Sequence, residues 1–424
     1  MQTLVNLVDS AFEYAYPLYA VACVRHRAVS DTANPRRHAP NTWRHERELS
    51  DHTTRWITTP NNDTLYSNAW VDLAAGPVRL DVARMPPGRY WSVAVMDAWT
   101  NHLTMLGTRL DGCGPASLTF VRQGHTGALP PGRVLRASGR DLWLFARCLV
   151  DGPEDLPQAH AMQEALSLHA PADSGPARIE PGLVSDVPRW LDLVNQALAD
   201  NPPPAEEAAL LAGWHRVGLR PGERGAWAQM DEDARQAWRA RMPQALQGLQ
   251  QAGMRGRRQH QGWITAGPEI GSFGRNHALR ASVALGGLGA LEPIEAMYFV
   301  RFQDEHGQAL DGRQSYRMKV PAAGLPVDAF WSVSMYRPQD GQRYFVENPI
   351  ARHSIGNRTP GLRHDADGSL VITLSHQCPE GAQAQANWLP APPGPFQLSL
   401  RCYLPQQALR DLCAPLPFIE RQGA

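Results

Sequence analysis

The alternation of apolar and polar positions divides the chain into two β regions separated by helices. Residues 2–29 repeat apolar residues at helical spacing, and Pro17 within them predicts a kinked amphipathic helix. From Thr58, short apolar runs separated by Gly and Pro turns predict strands. Seven or eight strands at this spacing are typical of a sandwich or jelly roll. The predicted strands are Thr64–Leu73, Val78–Val82, Arg89–Asp97, His102–Leu106, Ser117–Arg122, Val134–Ala137 and Asp141–Val150.

The middle of the chain, residues 155–256, has helical periodicity instead. The Gly- and Ala-rich residues 262–290 are expected to return the chain to β structure. A second β region then runs from Glu295 to Leu404. The predicted helices are Gln158–His169, Val187–Ala199, Ala205–Val217 and Trp227–Met254, and the predicted later strands are Glu295–Gln303, Gln314–Val320, Asp328–Tyr336, Gln342–Val346, Ser369–Ser375 and Phe396–Leu404.

These elements predict a mainly β fold with a helical insert: two jelly-roll-like antiparallel β-sandwich domains bridged by helices. The expected boundaries are 1–57 for an N-terminal helix and loop, 58–154 for the first sandwich, 155–260 for a helical linker domain and 261–424 for the second sandwich. The segment Tyr90-Trp91-Ser-Val-Ala-Val resembles Phe330-Trp331-Ser-Val-Ser-Met, and both follow Pro-rich turns. This similarity between the two segments predicts a duplicated sandwich with Trp91 and Trp331 at equivalent positions.

Composition narrows the classes of function. Hydrophobic residues make up 43% of the chain, charged residues 19%, and the formal net charge is zero, which indicates a globular protein without nucleic-acid or membrane partners. Lys319 is the single lysine, within an ordinary strand pattern. Schiff-base enzymes and P-loop nucleotide hydrolases, which need a dedicated lysine, are therefore disfavoured.

The six cysteines show no C-x-x-C spacing and predict free thiols in a reducing compartment. The first residues lack a basic segment followed by a cleavable apolar one, which favours a cytoplasmic protein. A metal set of His45, Glu48, His52 and Asp63 lacks the H-x-H spacing of cupins, so no metal and no organic cofactor are expected.

Two long motifs carry a family resemblance. Thr59-Pro-Asn-Asn-Asp-Thr-Leu-Tyr-Ser-Asn-Ala-Trp resembles the hallmark of the domain of unknown function family 1254, and Ser354-Ile-Gly-Asn-Arg-Thr with Asn387-Trp-Leu-Pro-Ala-Pro resembles family 1214. The resemblance implies two jelly-roll-like domains bridged by helices, and it brings no settled reaction. His277 and His353 stand where the families' pattern leads one to expect tyrosine nearby, which puts a role for an aromatic hydroxyl there in doubt.

The family 1254 motif also supplies candidate chemistry. Period two places Thr64, Tyr66, Asn68 and Trp70 on one strand face, which mixes aromatic rings with hydrogen-bonding groups. Such a face binds small polar molecules in other sandwiches. The structural alternative is that the turn residues only cap the strand and Tyr66 packs at its rim.

Acid–base and anion-binding candidates complete the set. Asp97 ends an apolar stripe, where partial burial would raise its pKa, although it could equally cap the following turn. Arginine binds carboxylates and phosphates through two parallel hydrogen bonds, although surface ion pairs are the simpler explanation. The candidate catalytic residues are Asp63, Tyr66 and Asp97, and the candidate substrate-binding residues are Arg55, Asn61, Asn62, Asn68, Trp70, Arg352 and Arg358.

These candidates leave three hypotheses. The first is an enzyme that hydrolyses, eliminates or isomerises a small polar or anionic molecule through acid–base residues. The second is a non-catalytic protein that binds a sugar or an organic acid. The third is a structural or assembly role, and self-association as a homo-oligomer is left open. A cavity shared by Asp63, Tyr66 and Asp97, with Arg352 or Arg358 at its mouth, would favour the first.

Overall fold

The computed structural model describes residues 3–171 and 178–423. The fold is mainly β, with several antiparallel sheets and helices beside them. The helices are α1 (Leu4–Val29), α2 (Thr108–Asp111), α3 (Leu156–Glu164), α4 (Val187–Asp200), α5 (Ala208–Gly213), α6 (Ala226–Gln229), α7 (Glu232–Arg255), α8 (His277–Gly286), α9 (Ala382–Ala386) and α10 (Gln407–Arg410). The strands are β1 (Arg44–His45), β2 (Thr64–Asp72), β3 (Val78–Val82), β4 (Trp91–Asp97), β5 (His102–Gly107), β6 (Ala116–Arg122), β7 (Arg133–Ala137), β8 (Asp141–Leu149), β9 (Leu166–His169), β10 (Arg258–His260), β11 (Trp263–Thr265), β12 (Ala296–Arg301), β13 (Tyr316–Val320), β14 (Val327–Gln339), β15 (Gln342–Tyr344), β16 (Ser354–Gly356), β17 (Leu370–Ser375), β18 (Trp388–Pro390), β19 (Gln397–Pro405) and β20 (Phe418–Arg421).

The first β half consists of two sheets with strand orders β1-β2-β8-β4-β5 and β7-β6-β3-β9. The core lies between them, where Ala69 and Val71 of one sheet share a buried cluster with Val78 and Leu80 of the other. Strands β2 to β8 lie where the alternation predicted them. The predicted helix Gln158–His169 is wrong at its end: α3 stops at Glu164, and residues 166–169 form β9 beside β3. Burial alternates along this segment: Leu166 is buried and Leu168 half-buried, whereas Ser167 and His169 are exposed. This is the pattern of a strand, not of a helix.

The second β half repeats the two-layer arrangement, with β10-β11-β12-β19-β14-β15 facing β18-β17-β13-β20, and with β16 pairing β14. Its core includes Phe299, Trp331, Leu400 and Ile372. The expectation of β structure throughout 262–290 is wrong, because residues 277–286 form α8. The side chain of Asn276 caps this helix by accepting a hydrogen bond from the Leu279 amide at 3.1 Å. The jelly-roll connectivity expected from the sequence is not confirmed by these strand orders.

A separate helical layer joins the two halves. Helix α1 packs against α4, α7 and α8, and the shared core includes Phe12, Trp190 and Trp238. Thr3 caps α1, which continues through Pro17. Among the described residues, no helix has both the length and the apolar character needed to cross a bilayer.

The strand registers reveal an internal repeat. Trp91 pairs with Cys148 in the first half, and Trp331 pairs with Cys402 in the second. One residue further, four paired residues form a row across each sheet. The row in the first half is Tyr66, Arg147, Ser92 and Gly107, and the row in the second half is Tyr298, Arg401, Ser332 and Gly356. Trp91 and Trp331 therefore occupy equivalent positions, as their matching segments predicted.

The two halves pack through equivalent sheets. A buried cluster between them combines Trp70, Tyr90 and Trp143 of the first half with Phe330 and Tyr403 of the second. Two ion pairs cross this interface from equivalent positions, each two residues beyond the glycine of its row. Arg109 pairs with Glu295, with Nε and Oε2 2.9 Å apart, and Arg358 pairs with Asp151.

Candidate functional site

The predicted polar and aromatic face of β2 lies between the two halves. Leu65, Ala69 and Val71 point away from the second half, whereas Trp70 belongs to the cluster shared with it. Because side chains alternate along a strand, Tyr66 and Asn68 lie on the same side as Trp70. The structure therefore places the face predicted from the sequence at the interface between the halves.

Arg147 stands at the centre of this face. It lies on β8, directly between Tyr66 of β2 and Ser92 of β4. Only 4% of its surface is exposed, yet its guanidinium makes no hydrogen bond to a described residue, and Nε and Nη1 are fully enclosed. The guanidinium carbon lies 4.5 Å from the centre of the Phe145 ring and 5.5 Å from that of Tyr66. Cation–π contacts recover only part of the cost of burying a charge.

Side chains around Arg147 keep part of their surface accessible to solvent, although its own is enclosed. Tyr66, Asn68, Phe145 and Tyr298 are all half-buried. Asn68 accepts a hydrogen bond from the Trp143 indole at 3.1 Å, and it pairs in register with Arg44 of the edge strand β1. We refer to the surroundings of Arg147 formed by Tyr66, Asn68, Phe145 and Tyr298 as the interdomain cleft. Its chemistry, one cation among aromatic rings, suits a small anion with an apolar body.

A chain of hydroxyl groups lies beside the cleft. The Tyr90 hydroxyl lies 2.8 Å from Glu295 Oε1 and 3.0 Å from Ser92 Oγ. Burial and the adjacent Glu295 raise the pKa of Tyr90, so the phenol keeps its proton at neutral pH. A phenol has one proton to donate. Donation to the carboxylate leaves the Tyr90 oxygen free to accept from Ser92.

Asp63 lies outside the cleft and connects the two halves through hydrogen bonds. Its carboxylate accepts hydrogen bonds from Ser332 at 2.6 Å and from Ser354 at 3.2 Å, both in the second half. Burial raises the pKa of Asp63, and Arg401 and the two serines oppose that rise. Its neighbours act similarly: Asn61 donates to the Tyr403 hydroxyl at 2.9 Å, and Asn62 accepts from Ser354 at 2.6 Å. This turn therefore docks one half on the other.

Asp97 lies apart from Tyr66. It pairs with Leu142, five residues along β8 from Arg147, or about 17 Å at the rise of a strand. Its carboxylate accepts hydrogen bonds from the Trp99 and Asn101 amides at 2.8 and 2.9 Å, which is the turn-capping alternative. Burial raises the pKa of Asp97, with Asn101 opposing. The structure thus does not form the expected cavity shared by Asp63, Tyr66 and Asp97.

The remaining predicted arginines have structural partners. Arg352 donates to the carbonyls of Ala386 and Trp388, both at 2.9 Å, and Arg358 pairs with Asp151. The guanidinium carbon of Arg55 lies over the Tyr344 ring, 4.7 Å from its centre. Trp70 stacks on Trp143, with ring centres 5.0 Å apart, as a packing residue. None of these side chains bounds the cleft.

Arg147 and Tyr298 were not among the residues predicted from the sequence. A signal for Arg147 was present, because it continues the alternation of Trp143 and Phe145 along β8 and so puts a charge on an apolar face. Among the described residues, no three His, Cys, Asp or Glu side chains gather closely enough to hold a metal ion. His45, for example, bonds Ser67 at 2.7 Å instead.

The fold and this cleft define a protein of two related β halves joined face to face. The family model described as "Protein of unknown function (DUF1254)" matches residues 40–170, and the one described as "Protein of unknown function (DUF1214)" matches residues 295–407. These two matches, one in each half of the chain, confirm the resemblance that the motifs indicated.

A solved structure from Vibrio parahaemolyticus supports the same fold. The crystal structure of the VPA0106 protein from Vibrio parahaemolyticus is 23% identical, covers 99% of this chain and 100% of its own, and superposes with a TM-score of 0.78. A putative uncharacterized protein from Burkholderia cenocepacia is 14% identical over 97% of this chain and 88% of its own, with a TM-score of 0.47. A search of curated proteins found no match.

Proposed function

We propose that this protein binds a small organic anion in the interdomain cleft, with the guanidinium of Arg147 as the anchor. One observation carries the proposal: the guanidinium of Arg147, a residue that is only 4% exposed, has no acceptor among the described residues. An isolated buried charge is costly, and a bound anion would offset that cost. Tyr66, Phe145 and Tyr298 would cover the apolar part of the ligand, and Asn68 would lie at its edge.

The experiment compares anions with a neutral molecule of similar size. Thermal unfolding of the wild-type chain is measured with benzoate, citrate, inorganic phosphate and glucose, and any anion that stabilises is followed by calorimetry. At least one anion should raise the midpoint, whereas glucose should not. Arg147→Met should abolish that binding. Arg337→Met removes an exposed arginine outside the cleft and should leave it intact. Equal effects of anions and glucose would reject the proposal.

A second candidate is that the bound anion is also converted by acid–base chemistry. The hydroxyl chain favours it, because Ser92 lies beside Arg147 and connects through Tyr90 to the buried carboxylate of Glu295. A proton leaving Ser92 could pass to Tyr90 while the Tyr90 proton passes to Glu295. Hydrolysis of p-nitrophenyl acetate tests this relay. Ser92→Ala and Tyr90→Phe should both lower the rate at least tenfold, and unchanged rates would leave binding as the function.

A further inference from the structure

The internal repeat provides a comparison within the chain for the binding site. Arg147 and Arg401 occupy the same place in their rows, between a tyrosine and a serine. Both are buried, with 4% of the surface exposed in each case. Any difference between their surroundings therefore shows what one guanidinium has and the other lacks.

Arg401 has oxygen acceptors for both of its terminal nitrogens. It donates to the main-chain carbonyls of Thr59 and Pro60, at 3.3 and 3.2 Å, and also to the hydroxyls of Ser334 and Tyr336. The two carbonyls belong to the turn before β2, in the other half. Both carbonyl oxygens contact the same guanidinium nitrogen, Nη2, and serve it as acceptors.

Arg147 lacks the equivalent of each of these acceptors. By register, Ala94 stands where the second half has Ser334, and Met96 stands where it has Tyr336. The turn before β12 does not replace the carbonyls either, because the Glu292 carbonyl accepts from the amides of Glu295 and Ala296, at 2.9 and 3.1 Å. Glu295 is the equivalent of Asp63, because each lies three residues before the tyrosine of its row. Glu295, however, is paired with Arg109.

We infer that the ligand at Arg147 is a monocarboxylate with a flat apolar body, whose oxygens supply the acceptors that Arg401 has and Arg147 lacks. This inference rests on the proposed function and specifies its ligand. The Phe145 and Tyr66 rings lie close to the guanidinium, with centres 4.5 and 5.5 Å from its carbon, so they restrict the directions from which an acceptor can approach. A planar carboxylate presents both oxygens in the guanidinium plane, whereas a tetrahedral phosphate extends beyond it. One buried cation also matches one negative charge.

Four probes with the same ring separate shape from charge: benzoate, benzenesulfonate, phenyl phosphate and the neutral benzamide. Calorimetry on the full chain should give the tightest binding for benzoate, with the other three at least tenfold weaker. Arg147→Lys keeps the charge but loses the planar pair of donors, and it should weaken benzoate at least tenfold. Arg337→Met should bind benzoate as the wild type does.

Three outcomes distinguish this inference from the proposed function. If the sulfonate or phosphate binds as tightly as benzoate and Arg147→Met abolishes all three, the proposed anion site stands and its restriction to carboxylates is overturned. If benzamide binds as tightly as benzoate, charge is irrelevant and both fail. If no probe binds, the carboxylate inference fails, and the anion site fails with it when citrate and inorganic phosphate also leave the unfolding midpoint unchanged. If Arg147→Met leaves benzoate binding unchanged, the site itself is rejected.

Discussion

Gly107 and Gly356 make the same close approach in the two halves, each to the strand that carries its tryptophan. A Cβ added to Gly107 would lie 2.6 Å from the Trp91 carbonyl oxygen, and one added to Gly356 would lie 2.1 Å from the Trp331 carbonyl oxygen. Main-chain atoms inside a sheet cannot move aside easily. Both positions therefore require glycine for the same steric reason.

We predict that Gly107→Ala and Gly356→Ala each lower the free energy of unfolding by about 2–3 kcal/mol, because the added methyl group forces paired strands apart. Urea unfolding measures the change. Gly248→Ala is the matched control. It lies in the exposed interior of α7, where a Cβ meets no atom within 4 Å, and alanine should raise stability by up to about 1 kcal/mol. Alanine tolerated in the sheets would contradict the close approach.

Much of the fold follows from local pattern, whereas the cleft does not. Period two along β2 placed Tyr66, Asn68 and Trp70 on one face, and the structure has them there. Which surface covers that face depends on strands far along the chain. Asp63, for example, bonds Ser332 and Ser354, which are 269 and 291 residues away.

The candidate arginines show the same limit. A sequence gives their charge but not their partners, so Arg352 and Arg358 could not be separated from Arg147 by residue type. Only the structure shows that the first two donate to protein acceptors and the third does not. The failed helix at residues 166–169 has a related cause, because pairing with β3 outweighs the local helical preference.

Asp63 and Ser332 provide a test of docking between the halves. Asp63→Asn keeps the shape but removes the negative charge beside Arg401, and we expect the free energy of unfolding to fall by about 1–3 kcal/mol. Ser332→Ala should cost about 1 kcal/mol. Since both changes act on the same 2.6 Å hydrogen bond, the double variant should cost less than the sum of the two. Strict additivity would mean that the bond does not contribute.

His102 should make stability depend on pH. Burial lowers the pKa of His102 to about 4, aided by Arg147 and opposed by the Ala290 carbonyl. The unfolded chain binds a proton near pH 6.5 while the folded chain resists it. The contribution of His102 to stability is therefore complete above pH 6.5 and is lost as the pH falls towards 4, by up to about 3 kcal/mol.

His102→Gln can still donate to the Ala290 carbonyl but cannot titrate. Unfolding curves at pH 7.5 and 5 should therefore differ less for this variant than for the wild type. His306→Gln changes an exposed histidine and should reproduce the wild-type difference. If the wild type and His102→Gln lose stability equally on acidification, another group controls the transition.

The equivalent arginines should respond in opposite ways to the same substitution. Arg401→Met leaves Asp63 buried beside two serines without its cation, so the free energy of unfolding should fall by about 3–5 kcal/mol. Arg147→Met removes a buried charge that has no acceptor, and in the absence of any anion its stability should rise by about 1 kcal/mol. Urea unfolding in a buffer of an organic cation with chloride measures both. A fall of more than 2 kcal/mol for Arg147→Met would show that Arg147 supports the fold, and its role as a ligand anchor would then have no basis.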